Sequence, residues 1–219
     1  MNRRFDSPLF WGSHSPLLAF CGIGLIIMAS SRFAFALVSA GALLWVYGLS
    51  ALVFSNSGAI MPKRGKMVIL LFLSAFLSGL YMLLMGFLNP LLILSSGYFL
   101  LLVPPCCLGS GLFEAGDSVE SGDFFSRALQ EAAVISGIII ALALIREPLG
   151  MGTLSIPGSA QGMMELFDDR DLDAFVPLKI LSASSGGLLL LGYGTALFLH
   201  FRELNGGISR NTDAPEEEQ

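Results

Sequence analysis

Three cysteines lie within apolar stretches of this 219-residue chain: Cys21, Cys106 and Cys107. A cysteine in a membrane segment is most often a small, inert hydrophobic residue. Both cysteine sites here, however, adjoin residues that weaken a helix, and a residue that only fills space needs no such neighbours. Thiolates are soft ligands that hold iron–sulfur clusters and thiophilic metals. We therefore treat Cys21 and the Cys106–Cys107 pair as candidate ligands.

The surroundings of the two sites correspond. Gly22 and Gly24 follow the first cysteine, while Pro104-Pro105 precede the pair and Gly109 and Gly111 follow it. Proline removes a backbone donor, and glycine leaves helical geometry at little cost. Both segments are therefore predicted to be helices broken at membrane depth, at a cysteine. Two thiolates are too few for a [2Fe–2S] cluster, which takes four ligands, so either a partner subunit completes the site or no cluster exists.

A second group of candidates lies at the end of the fifth apolar segment. Arg146 and Glu147 are adjacent there, and Pro148, Gly150 and Gly152 predict a turn directly after them. A charged residue inside a membrane is expensive and usually functional. Side chains that snorkel to the interface explain the same pair equally well.

Glu131 lies within the fifth segment, where an ionisable residue is a functional-site hypothesis by default. Arg127 lies one turn earlier and can pair with it at i,i+4. That spacing favours a place near the headgroups for Glu131.

The elements that position these residues follow from composition. The chain is 54% hydrophobic and 13% charged, with a mean hydropathy of +0.73, whereas a soluble domain carries about 25% charged residues. Lipid offers no partner to backbone N–H and C=O groups, so the spans are helices. No basic stripe for nucleic acid is visible. We predict an all-α membrane protein with six segments: Leu17–Ser31, Phe33–Phe54, Met67–Leu88, Leu91–Gly109, Phe124–Ile145 and Pro177–Phe201.

The two irregular segments open the first and the second trio of spans. This pattern is typical of an inverted 3+3 repeat with a site at the membrane midplane, here with half-repeats at about 17–88 and 91–201. The short loop that holds Lys63, Arg64 and Lys66 places both termini in the cytoplasm by the positive-inside rule. Residues 1–16 are then a cytoplasmic N-terminus, and residues 202–219 are a cytoplasmic, disordered, acidic tail.

Three stretches carry a resemblance to a known family: Leu17–Cys21, Cys107–Ala115 and Ile145–Leu154. They are similar to the family patterns L-x-G-x-C, C-x-x-x-G-x-x-E-A and I-R-E-x-x-G-x-G-T-L. The chain resembles the six-span membrane subunits of the Rnf and Nqr complexes, and most of all the E-type Rnf subunit. These complexes are ion-translocating ferredoxin:NAD and NADH:quinone oxidoreductases of the bacterial cytoplasmic (inner) membrane.

The resemblance implies that Cys21 and Cys107 hold the iron of a [2Fe–2S] cluster shared with a homologous, inverted (A-type) subunit. The cluster would relay electrons toward flavin on other subunits, and the flow would drive Na⁺ or H⁺ across the membrane. Ferredoxin-like subunits are implied as further partners, and the chain is not catalytic alone. The matching motifs also assign a structural or functional role to a further set of residues: Gly24, Gly111, Glu114, Arg146, Glu147 and Gly150.

The sequence departs from the family pattern at three positions. Cys106 stands where the family usually has Asn, Gly22 where Pro commonly follows the first cysteine, and Leu112 where Arg is common. These departures leave both thiolate positions in place. Two alternatives stand beside the relay subunit: a small secondary transporter or permease with an inverted repeat, in which the cysteines are incidental, and an assembly or scaffold subunit that has lost its cluster, against which the two retained thiolate positions argue.

Overall fold

The computed structural model describes residues 16–57, 66–109, 121–158, 163–165 and 179–211. Gly111, Glu114 and most of the predicted N-terminus lie outside them. The described residues form seven α-helices, one 3₁₀ helix and one antiparallel pair of strands. The elements are α1 (Pro16–Ala29), α2 (Phe33–Ser57), α3 (Lys66–Leu88), α4 (Pro90–Leu100), α5 (Val103–Gly109), α6 (Ser121–Met151), β1 (Ser155–Pro157), β2 (Met163–Glu165), the 3₁₀ helix (Lys179–Ser182) and α7 (Ser184–Asn211).

Among the helices of the described residues, three are long and apolar enough to cross a membrane. Their apolar stretches are Phe33–Asn56 in α2, Val68–Leu88 in α3 and Phe125–Met151 in α6. The chain is mostly helical, which agrees with the predicted class, although the β1–β2 pair was not predicted. Six spans and an inverted repeat remain predictions. At 14 residues, α1 is about 21 Å long and falls short of a hydrocarbon core of about 30 Å.

The predicted break at the first cysteine is not seen. Residues Pro16–Ala29 form one uninterrupted helix that passes through Cys21, Gly22 and Gly24. A single glycine inside a helix costs only about 1 kcal/mol relative to alanine, and packing can offset that cost.

The second break lies earlier than predicted. The chain leaves α4 at Leu100 and begins α5 at Val103, so the interruption is at 101–102 and not at Cys106–Cys107. Proline is tolerated in the first turn of a helix, where the N–H groups have no intrahelical acceptor. Pro104 and Pro105 occupy that first turn and therefore start α5, whereas the sequence interpretation had them break the helix at the cysteines.

Two helix ends also differ from the predictions. The fifth span was predicted to end near Ile145, but α6 continues through Pro148 and Gly150 to Met151. The chain turns at Gly152, whose φ of +70° suits glycine. The last helix is Ser184–Asn211, and not Pro177–Phe201. It therefore includes residues 202–211 of the predicted tail.

The core is centred on α2, which packs along the length of α6 and also against α3. Its buried face combines small and large residues, so the neighbouring helices approach closely where the side chains are small. At Gly41, for example, an added Cβ would lie 2.6 Å from the Tyr81 hydroxyl. That hydroxyl donates a 2.9 Å hydrogen bond to the Val38 carbonyl of α2. The core fixes α2, and α2 in turn borders both groups of candidate residues.

Candidate functional site

The two cysteine-bearing segments pack directly against each other. Helix α1 lies against α5, and a Cβ added to Gly22 would lie 3.8 Å from the Cys106 Sγ. A Cβ added to Gly24 would be 3.7 Å from Leu102, at the break between α4 and α5. Cys21 is adjacent to Gly22 in α1, although its side chain lies outside the described residues. The structure thus brings together segments that are more than eighty residues apart in the sequence.

Both cysteines of α5 are buried, and α2 supplies their polar neighbours. Cys107 is 0% exposed and Cys106 is 7% exposed. The Tyr47 hydroxyl donates a 3.0 Å hydrogen bond to the Cys106 carbonyl and lies 3.9 Å from its Sγ. That carbonyl lies in the last turn of α5. The Ser50 hydroxyl lies beside the Cys107 thiol but makes no well-formed hydrogen bond within the described part of the chain.

Glu131 of α6 is part of the same environment. It lies within electrostatic range of both Tyr47 and Cys107. One of its carboxylate oxygens is buried, and the headgroup position beside Arg127 stays a prediction. We refer to Cys21, Cys106, Cys107, Tyr47, Ser50 and Glu131 together as the cysteine site.

The cysteine site alone does not provide a full set of metal ligands. Among the described residues, no group of three or more His, Cys, Asp or Glu side chains could hold a metal ion. Thiols have the right chemistry for iron, but Cys21 and Cys107 would supply only two of the four ligands of a [2Fe–2S] cluster. Cys107 is also fully covered by its own chain.

The adjacent charged residues at the end of α6 are buried and do not snorkel. Arg146 is 2% exposed and Glu147 is 1% exposed. All five N–H donors of the Arg146 guanidinium make hydrogen bonds. Two acceptors lie at the end of α1: the Ile27 carbonyl at 2.8 Å and the Ser30 hydroxyl at 3.2 Å. The other three lie at the end of the 3₁₀ helix and are the carbonyls of Leu181, Ser182 and Ala183, at 2.8, 3.0 and 3.0 Å.

Glu147 binds the N-terminal end of a helix, whereas Arg146 binds C-terminal helix ends. One carboxylate oxygen accepts a 2.6 Å hydrogen bond from the backbone N–H of Phe33, the first residue of α2. The other accepts a 2.8 Å hydrogen bond from the N–H of Ser155 in β1. Helix C-termini carry partial negative charge and N-termini partial positive charge. The cation and the anion are thus each stabilised by helix ends of opposite sign.

Close approach around this pair requires glycine at two positions. A Cβ added to Gly150 would lie 2.8 Å from the backbone N of Ser182. A Cβ added to Gly187 would lie 3.0 Å from the Arg146 Nη1. The R-E-x-x-G part of the third motif is therefore one packing unit, in which Gly150 lets the 3₁₀ helix come close enough for its carbonyls to reach the guanidinium.

The strand pair lies over the same end of the helices. The Ser155 hydroxyl accepts a 3.4 Å hydrogen bond from the N–H of Ala34 in α2. Asn89 begins α4 by accepting from the Leu92 N–H at 3.2 Å, and its amide also donates to the Gly158 carbonyl. The Nη1 of Arg32 contacts the Met163 sulfur at 3.5 Å. Side chains from four separate parts of the sequence thus hold the strand pair against this end of the helices.

Sequence reasoning missed the α2 residues of the cysteine site. Tyr47 lies in the middle of α2, whereas tyrosines of the interfacial belt lie near span ends. A tyrosine at mid-span needs a partner for its hydroxyl, and that was an available signal. Nothing in the sequence singles out Ser50, because a serine in a membrane helix can bond to its own backbone.

Comparisons with known proteins found no match for this chain among protein families, curated proteins or solved structures.

Proposed function

We propose that the chain is a membrane subunit of an electron-transfer complex of the Rnf/Nqr kind. In this proposal Cys21 and Cys107 supply two thiolates to a [2Fe–2S] cluster, and a homologous inverted subunit supplies the other two. The observation that carries the proposal is the packing of α1 on α5, which puts the Cys106 Sγ 3.8 Å from the position that a Cβ on residue 22 would take. Two cysteine segments with no contact would have offered no common site.

The surrounding residues suit the role of holding soft ligands at depth. Tyr47 holds the end of α5 through the Cys106 carbonyl, and the buried position of Cys107 keeps water away from its sulfur. The cluster supplies one-electron transfer when bound. A hydrocarbon core of about 30 Å is too wide for one direct electron transfer step, so a relay within the membrane has a clear purpose. Gly111 and Glu114, which follow Cys107 in the motif, belong to the proposed site.

The experiment is purification of the tagged full-length chain from native membranes in mild detergent. We expect iron and acid-labile sulfide in equal amounts, a visible spectrum that bleaches on reduction, and co-purification of a homologous membrane subunit with flavin-carrying and ferredoxin-like subunits. A complex that is intact but free of iron and sulfide would contradict the proposal.

One observation favours a second candidate, a small permease without a cluster. Glu131 is an ionisable residue in an apolar span, and it lies close to Tyr47 and Cys107. Such residues often line ion or proton pathways. If proteoliposomes that contain only this chain transport a cation or solute, and Glu131→Gln abolishes that transport, the permease is favoured over the relay.

A further inference from the structure

We infer that Arg146 is a positioning residue for the cysteine site, because it fixes the rotation and height of α1 against α5. The position of α1 matters for function only if the proposed function holds. The hydrogen bonds by which Arg146 fixes that position do not depend on it. Arg146 touches neither cysteine in the described structure. It acts on the other end of the helix that carries Cys21.

The first step of the argument is that the guanidinium has one available position. Its five donors are all used, by two acceptors in the α1 end and three at the end of the 3₁₀ helix. The backbone of Gly187 closes the remaining side, where even a methyl group would lie 3.0 Å from Nη1. A rigid guanidinium whose five donors are all bound cannot shift without losing hydrogen bonds.

The second step is that the guanidinium bonds directly to the C-terminal end of α1. This helix has 14 residues and joins α2 through residues 30–32 alone. The Ile27 carbonyl, which the guanidinium binds, is one of the orphan carbonyls at the C-terminus of α1. Glu147 holds the other side of the same connection, at the Phe33 N–H. Neighbouring residues of α6 thus hold both helices at the turn between them.

The third step is the short distance from this turn to the thiols. Ile27 lies five residues after Gly22, which is about 7.5 Å along a helix. A small rotation or slide of α1 at Ile27 is therefore carried almost unreduced to Gly22 and its neighbour Cys21. Ligand geometry at a cluster tolerates little displacement, so a fixed α1 end is a direct requirement of a shared site.

A disulfide reports this positioning without any cluster. In a full-length chain with Cys21→Ala and Cys107→Ala, the Gly22→Cys substitution places a thiol beside Cys106. We expect copper-phenanthroline to oxidise this pair rapidly in membranes, with the product measured by peptide mass spectrometry. Adding Arg146→Gln is expected to slow the oxidation roughly tenfold, because disulfides form only within narrow limits of distance and angle. Arg146→Lys, with three donors in place of five, should fall in between.

The matched control is Arg127→Gln, which removes an exposed arginine from the same helix and should leave the rate unchanged. An Arg146→Gln rate equal to that of the parent would overturn the inference, and so would a parent that does not form the disulfide. If Arg146→Gln fails to insert, Gly187→Ala replaces it, since its methyl group displaces the guanidinium. An unchanged rate in that variant is equally decisive against the inference.

A spectroscopic measurement separates positioning from plain stability. In the complex with native cysteines, Arg146→Lys should retain iron but shift the g values of the cluster's electron paramagnetic resonance signal. Retained iron with an unshifted spectrum would overturn the role of Arg146. Iron that is absent from the wild-type complex would instead overturn the proposed function, with the disulfide result still standing.

Discussion

At the scale of single residues, the sequence identified the chemistry more readily than the contacts. Cys21, Cys107, Arg146 and Glu147 stand out by type alone, since thiols and charges are unusual in apolar segments. The burial of Arg146 and Glu147 was not predictable, because their partners at Ile27, Phe33 and Ser182 lie far away in the sequence. Tyr47 and Glu131 offer a signal by type, as polar residues inside apolar spans, but their neighbours Cys106 and Cys107 also lie far away in the sequence.

The register of the cysteine pair is the first prediction. Cys107→Ala is expected to abolish the iron–sulfur signal of the complex, whereas Cys106→Ala should be much milder, because Gly111 and Glu114 stand at the family distances from Cys107. Iron content and visible absorbance of the two purified variants provide the measurement. The Cys106 sulfur is the one beside Gly22, so the reverse result would assign the ligand role to Cys106.

Tyr47→Phe tests the hydrogen bond that holds the end of α5. It removes the hydrogen bond to the Cys106 carbonyl, and a typical intramolecular hydrogen bond contributes about 0.5–1.5 kcal/mol. We expect a lower unfolding temperature of the detergent-solubilised chain. Tyr98→Phe is the matched control, since Tyr98 is 61% exposed on α4. Equal losses in the two variants would show that the hydrogen bond does not matter.

At the scale of elements, the sequence predicted the apolar bodies of the helices well and their ends poorly. Apolar length predicted α2, α3 and most of α6, because lipid forces the backbone to pair within the helix. Breaks were misplaced because glycine and proline have position-dependent effects. Gly24 is accommodated inside α1, and Pro104 starts α5. The Leu100 carbonyl, which would accept from residue 104 in a continuous helix, accepts a 3.2 Å hydrogen bond from the Ser78 hydroxyl of α3.

Gly150→Ala tests the close contact between α6 and the 3₁₀ helix. Its Cβ would lie 2.8 Å from the Ser182 N, so the two backbones must separate and the bonds of Arg146 to the 3₁₀ helix must lengthen. We expect a loss of about 1–3 kcal/mol in the free energy of unfolding, measured by denaturant unfolding in detergent. Gly137→Ala on the same helix meets nothing within 4 Å and should be neutral or slightly stabilising. A neutral Gly150→Ala would contradict the contact.

At the scale of the whole molecule, the described helices place the strand pair at one end and the C-terminus of α2 at the other. Glu147, Ser155 and Asn89 tie the strand pair to the ends of α2 and α4. Asn56, near the end of the 25-residue α2, is about 35 Å from that end. The arrangement fixes which residues share a side, while the sequence rule for basic residues predicts which side is the cytoplasm.

Topology gives the whole-molecule prediction. In a chain without native cysteines, Met164→Cys should react with a membrane-impermeant thiol reagent added to cells with a permeabilised outer membrane. Asn56→Cys should react only after the inner membrane is opened. Both side chains are exposed, so the difference reports sidedness and not burial. The opposite labelling would place both termini outside and make the chain resemble the A-type member.

The central claim is that this chain supplies thiolates to a cluster within the membrane, and Cys21→Ser tests it most directly. Serine keeps the size of the side chain but replaces a soft sulfur with a hard oxygen. The measurement is iron and acid-labile sulfide per mole of the tagged, purified complex, compared with the wild type at equal subunit content. We predict that the wild type contains both and that the variant assembles but loses both. A variant that retains wild-type iron, sulfide and electron transfer would contradict the account.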